Sequence, residues 1–170
     1  MTALGEDVAQ RAANARAACA RVTDPEIPAL AIDDLGILHD VDVDPHGRVT
    51  VTILPTYSGC PAMGAIALAV ETELAKDGFE AVRVSLANTP VWSTDRMSAA
   101  ARAKLRACGV SPPERQAGRR ALFAPSAGVA CPRCGSRDVE RLAEFGSTAC
   151  KALWRCRACR DPFDHFKCVK

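Results

Sequence analysis

Apolar residues recur at three- and four-residue intervals along three stretches of this chain and alternate with polar ones between them. Leu4, Val8, Ala12, Ala15, Cys19 and Val22 form the first stripe and predict an amphipathic helix, with Cys19 as a small buried residue. After Pro25 and Pro28, "VDVDPHGRVTVTI" alternates on both sides of Asp44-Pro45-His46-Gly47, which predicts a β-hairpin with His46 in a solvated turn. His39 lies just ahead of the first strand with no companion ligand at metal spacing, so a structural role is expected. Met63, Ile66, Ala67, Val70 and Leu74 form a second helical stripe, closed by Gly78 as a left-handed cap. "AVRVSL" then alternates as a third strand. Met97, Ala101, Leu105 and Cys108 mark a third helix ending at Gly109, which places Cys108 in the core.

The order helix, hairpin, helix, strand, helix predicts an α/β domain over residues 1–110, a small sheet with packed helices. Residues 111–128, "SPPERQAGRRALFAPSAG", are rich in Pro, Gly and charge and read as a linker to a tail at 129–170.

Composition adds bounds. With 48% apolar and 25% charged residues and a formal net charge of +2, the chain is not disordered. No apolar run reaches the roughly 18 to 20 residues that span a bilayer, and no basic-then-apolar leader opens the chain, so a cytoplasmic protein is expected. Nine cysteines, an odd number with C-x-x-C pairs among them, fit a metal better than a disulfide framework. Charge is uneven: eleven basic against fifteen acidic residues over 1–117, a net of −4, and eleven against five over 118–170, a net of +6. Four thiolates on a zinc dication would remove two of the tail's charges. Nucleic-acid binding, which a basic tail invites, is therefore only a third reading.

The tail carries the strongest local signal. Cys131-Pro-Arg-Cys134 and Cys156-Arg-Ala-Cys159 are two knuckles separated by 21 residues, enough for a hairpin that returns the second pair to the first. Four sulfurs then hold zinc with no open position, and the metal supplies folding free energy to a segment too short for an adequate core. Cys150, Cys168 and His165 remain over. Cys150-x5-Cys156-x2-Cys159 misses the plant-type ferredoxin spacing by one residue, which keeps an iron–sulfur cluster open as the minor alternative. Cys150 and Cys168 individually are either buried or additional ligands. Trp154, Phe163 and Phe166 either fill the ribbon's core or stack bases.

Two features of the first domain invite chemistry. In "TYSGCPA", Pro61 suits the first helical position, which makes Cys60 the N-cap, its sulfur facing the free N–H groups of Ala62 and Met63. That setting favours thiolate, the form that binds metal or attacks, although a small residue in a tight loop explains Cys60 as well. Asp24-Pro25-Glu26, in "TDPEIPALAIDDLGIL", places two carboxylates around a rigid proline, either a solvated turn or partners for that thiol.

Together, D-P-E-x-P, D-L-G-I, the hairpin and T-x-S-G-C-P-A before a helix resemble the iron–sulfur assembly domain family that includes SufT-like proteins, over about residues 6 to 110. That resemblance implies a role in maturing iron–sulfur proteins, with Cys60 as the characteristic cysteine and Asp24, Pro25 and Glu26 as the acidic motif. "EFGSTACKALWRC" and "DPFDHFKC" are similar to a narrower family, the small accessory subunits of the bacterial phenylacetyl-CoA epoxygenase system. This implies partners among the oxygenase or reductase subunits, transient handling of iron or an iron–sulfur precursor, or a purely structural place in the complex. The three histidines, none three residues after a Glu, exclude the paired Glu-x-x-His ligands of a di-iron oxygenase, and no G-x-G-x-x-G or P-loop is present.

Overall fold

The computed structural model describes residues 3–113 and 128–167. Cys168 and most of the predicted linker fall outside them. The chain divides into two units, Met1–Trp92 and Ser93–Lys170.

In the first unit, helix α1 (Ala3–Cys19) buries Ala15, Ala18 and Cys19, so the expected face is the packed one. Strands β1 (Leu38–Val43) and β2 (Val49–Ile53) form the predicted hairpin, with Val43 opposite Val49 and Val41 opposite Val51. Asp44 builds the turn: its Oδ1 accepts the N–H groups of His46 and Arg48, both at 2.9 Å. The Arg48 N–H, followed by that of His46, holds the Asp44 carboxyl below its ordinary value. His46 is exposed, as expected, and His39 lies within β1, half-buried.

Helix α2 (Ala62–Lys76) buries Ala62, Met63, Ile66, Val70 and Leu74. Its end is a Schellman motif: Gly78 at φ 83° sends its N–H to Ala75 O, and the Phe79 N–H reaches Leu74 O, both at 3.1 Å. Phe79 and Leu74 are both buried. The chain returns as β3 (Val82–Leu86), parallel to β2, so the sheet order is β1-β2-β3. Central β2 buries Val49, Val51 and Ile53 completely. The buried Trp92 closes the unit, its indole N–H donating to Leu35 O at 3.0 Å.

The second unit opens with a 3₁₀ turn at Thr94–Arg96 and helix α3 (Ala99–Ala107), capped by the Ser98 hydroxyl, which accepts the Ala101 N–H at 2.9 Å. Ala101 and Leu105 are buried, but Cys108 is exposed, against expectation. The helix ends at Ala107, and a tightened closing turn, Cys108 N–H to Leu105 O at 3.1 Å, takes residue 108 off the buried stripe. Strand β4 (Val110–Ser111) follows at once and pairs in parallel with β7 (Pro162–Phe166). With β5 (Val139–Ala143) and β6 (Lys151–Cys156) it completes a sheet in the order β4-β7-β6-β5. Ser111, assigned to the linker from composition, is thus a buried strand residue, and α3 and β4 group with the ribbon.

Candidate metal centre and the Cys60 turn

Two tight turns deliver the four knuckle sulfurs. In the first, the Gly135 N–H reaches Cys131 O and the Cys131 N–H reaches Ser136 O, both at 2.9 Å; in the second, the Cys156 N–H reaches Asp161 O at 2.9 Å. The β5–β6 hairpin sets Val139 opposite Cys156 and so returns the second turn to the first. All four sulfurs lie within 4.8 Å of one another, with Cys131 Sγ 3.7 Å from Cys159 Sγ and Cys134 Sγ 3.6 Å from Cys156 Sγ. Tetrahedral zinc with Zn–S bonds of about 2.3 Å requires sulfurs about 3.8 Å apart. The donor set therefore fits zinc, and four thiolates leave no open position for a reaction.

Backbone N–H groups support these sulfurs. Those of Ser136 and Asp161 face Cys134 and Cys159. The Cys159 N–H, against the opposing effect of burial, lowers the Cys156 thiol to about 7. Such donors offset thiolate charge and orient the ligands. Beneath the centre, Val129, Ala152, Trp154 and Phe163 form a small core with Cys131 and Cys156.

Cys150 is buried elsewhere, its Sγ 3.0 Å from Thr148 Oγ1, and it is not among the convergent sulfurs. The ferredoxin-like spacing of Cys150, Cys156 and Cys159 thus does not build a common site. Trp154, Phe163 and Phe166 are buried, which removes them as a base-stacking surface. The ribbon's arginines are largely paired: Arg155 Nε and Arg157 Nη2 hold Glu140 at 2.7 and 3.2 Å, and Arg133 meets Asp161 at 3.0 Å.

The first unit presents Cys60 differently from the sequence expectation. Tyr57-Ser58-Gly59-Cys60 is a turn closed by the Cys60 N–H on Tyr57 O at 3.3 Å, with Gly59 at φ 83° as a type II turn requires. Pro61, already helical at φ −69° and ψ −22°, takes the N-cap position of α2, and no side chain caps this end. Cys60 contributes its carbonyl, which accepts the Met63 N–H at 3.4 Å, while its sulfur caps nothing. Proline's fixed φ puts residue 61 in helical conformation, as expected; what differs is that no side chain caps the helix start. Cys60 is half-buried, and its thiol has no hydrogen bond or ion pair among the described residues. A Cβ on Gly59 would meet nothing within 4 Å, so the turn beside it is open.

Asp24 is buried, and its Oδ1 accepts the N–H groups of Glu26 at 2.8 Å and Ile27 at 2.9 Å. Glu26 is half-buried. Among the described residues the four-sulfur cluster is the one group of three or more ligand atoms close enough to hold an ion, so Cys60, Asp24 and Glu26 do not form a ready-made site. No helix of the described residues is long and apolar enough to cross a membrane.

Comparison with known proteins follows the same division. Residues 12–86 match the model of the iron–sulfur cluster assembly protein family, and residues 115–167 match the PaaD zinc beta ribbon domain. The chain also resembles the crystal structure of a domain of unknown function, DUF59, from Bacillus anthracis: TM-score 0.56 at 28% identity, covering 59% of this chain and 96% of that one. An iron–sulfur-assembly α/β domain carrying a four-cysteine zinc ribbon is the class of protein these parts define. Over 149 residues the chain is 46% identical to a candidate 1,2-phenylacetyl-CoA epoxidase subunit of Escherichia coli K12, covering 88% of each sequence. It belongs to the PaaD family. An Fe-S protein maturation auxiliary factor of Porphyromonas gingivalis is 40% identical over 78 residues, 45% of this chain and 73% of the relative.

Proposed function

We propose that this chain is an accessory factor of a phenylacetyl-CoA epoxidase system in aerobic phenylacetate degradation, assisting iron or iron–sulfur maturation of the oxygenase or its reductase. The observation that carries this reading is the half-buried Cys60 thiol, without a partner among the described residues, on an open turn of an assembly-type domain. Delivery of metal needs weak, exchangeable ligation. One thiol, with carboxylate support from the Asp24-Pro25-Glu26 turn, suits that need; a closed four-sulfur site does not. In the proposed step the Cys60 S–H gives its proton to solvent and the sulfur binds iron. A client ligand then displaces the sulfur, which is reprotonated, with no change of oxidation state. The zinc of the ribbon is structural scaffolding and holds the surface that meets the client protein.

The test is a Cys60→Ala chain co-expressed with the epoxidase components. The client should be short of iron although the variant folds and carries its zinc, and full client iron occupancy would overturn the proposal. The Escherichia coli relative is named as a component of the epoxidase itself, which favours a second reading, a structural part of the oxygenase complex. That reading expects fixed stoichiometry with the active complex and no effect of Cys60→Ala.

A further inference from the structure

Two neighbouring rings in the ribbon each carry a buried polar atom that no described residue satisfies. Across β6 and β7, Trp154 pairs with Phe163 and Ala152 with His165, so Trp154 and His165 are diagonal neighbours on one face of the sheet. That face is the ribbon's core, which Ala152, Trp154 and Phe163 share with Cys131 and Cys156. The two rings meet edge-on, at 79° between planes and 6.1 Å between centroids. Trp154 is 4% exposed, and among the described residues neither its Nε1 nor the buried His165 Nδ1 has a hydrogen-bond partner. The indole N–H can only donate. Burial favours the neutral form of the His165 ring, and a neutral imidazole has one N–H and one bare nitrogen. The Ser111 backbone accepts from this ring while Nδ1 is without a partner, so the proton sits on Nε2 and Nδ1 is the acceptor.

A donor and an acceptor on adjoining rings are complementary, and each left bare in a dry core loses its hydration without return. Whatever satisfies both must accept one hydrogen bond and donate another. A cation would oppose the indole N–H, and an anion would oppose the lone pair of Nδ1. Water meets both demands. We propose that one buried water bridges the two rings, accepting from Trp154 Nε1 and donating to His165 Nδ1. The site does not depend on the maturation reading. It joins β6, two residues before the knuckle residue Cys156, to β7, and the other nitrogen of the same imidazole carries the connection on to Ser111 of β4. A single immobilised molecule thus completes the polar bonding beneath the four sulfurs.

The experiment uses the full zinc-loaded chain and its His165→Phe variant, isotope-labelled on nitrogen and held near neutral pH. Magnetisation transfer between the Trp154 indole proton and water is read in paired laboratory-frame and rotating-frame spectra, which separate contact with a long-lived water from chemical exchange. The parent should show direct contact, and the ring nitrogens of His165 should report the tautomer with its proton on Nε2. His165→Phe takes away one of the water's two partners and should lose the contact while zinc stays bound. A crystal structure of the parent, which needs no variant, should place a water within hydrogen-bond distance of both atoms. Any of five results overturns the proposal: no water contact in the parent, a direct bond from Trp154 Nε1 to His165 Nδ1, a protein group from residues 114–127 or 168–170 at either atom, a proton on Nδ1, or a water contact that survives in His165→Phe.

Discussion

Gly135 and Arg160 hold the same place in the two knuckles, each directly after the second cysteine and each left-handed, at φ 75° and 65°. One knuckle meets this requirement with glycine, and the other forces it on a residue with a Cβ. Left-handed backbone costs a residue other than glycine roughly 1 kcal/mol or more. Arg160→Gly should therefore stabilise the zinc-loaded protein by about 0.5 to 1 kcal/mol and Gly135→Ala should destabilise it by about 1 kcal/mol, as read from denaturant midpoints.

Removing one zinc ligand should unfold the ribbon's packing. A Cys156→Ser chain should drop from about one zinc per chain to a small fraction by elemental analysis, and Trp154 emission should shift toward that of an exposed indole. Cys150→Ser should keep full zinc, because its sulfur lies outside the cluster.

His165 carries a pH dependence. Its ring packs edge-on against Trp154 at 6.1 Å between centroids, and among the described residues its Nδ1 and the Trp154 Nε1 have no hydrogen-bond partner. Burial lowers its pKa from 6.5 to about 4, opposed by the Ser111 backbone, which accepts from the ring. A lowered value means that the fold favours the neutral ring. The contribution is complete above about 6.5 and is lost as the pH falls towards about 4, at most about 3 kcal/mol. His165→Phe should lack roughly 2 kcal/mol of the loss that the parent suffers between pH 7 and 5. Acid release of zinc affects both chains and cancels in the comparison; equal slopes would refute the assignment.

Thiol labelling should separate the cysteines. Burial, partly opposed by Arg16, raises Cys19 to about 11, so it should resist iodoacetamide at pH 8 until the protein unfolds. Exposed Cys108 and half-buried Cys60 should alkylate first in the zinc-loaded chain, as peptide mapping can show.

What could be read in advance was local. The Schellman end of α2, the Asp44 turn and the four knuckle cysteines each announce themselves within a few residues, because a glycine, an aspartate or a C-x-x-C spacing is their whole cause. What was missed depends on events further along. Cys108 lies on a consistent stripe, and only the early end of α3 exposes it. Strand β4 is two residues long and exists because β7, more than fifty residues away, pairs with it. Cys60 directly precedes the helical Pro61 as expected, but no side chain caps that end, and a sequence does not say which way a sulfur turns. Asp24 stayed open between a solvated turn and a partner for the thiol because nothing in a sequence says which way a carboxylate turns.

Strand β4 also changes what residues 114–127 connect. Val110 and Ser111 before them, and Val129 after them, are stitched into the same unit, while the covalent passage between the two units runs through Trp92 and Ser93. Cutting the chain anywhere within 114–127 should leave the residues on both sides of the cut held in one unit. The two fragments should stay together as one particle until zinc or the sheet is lost.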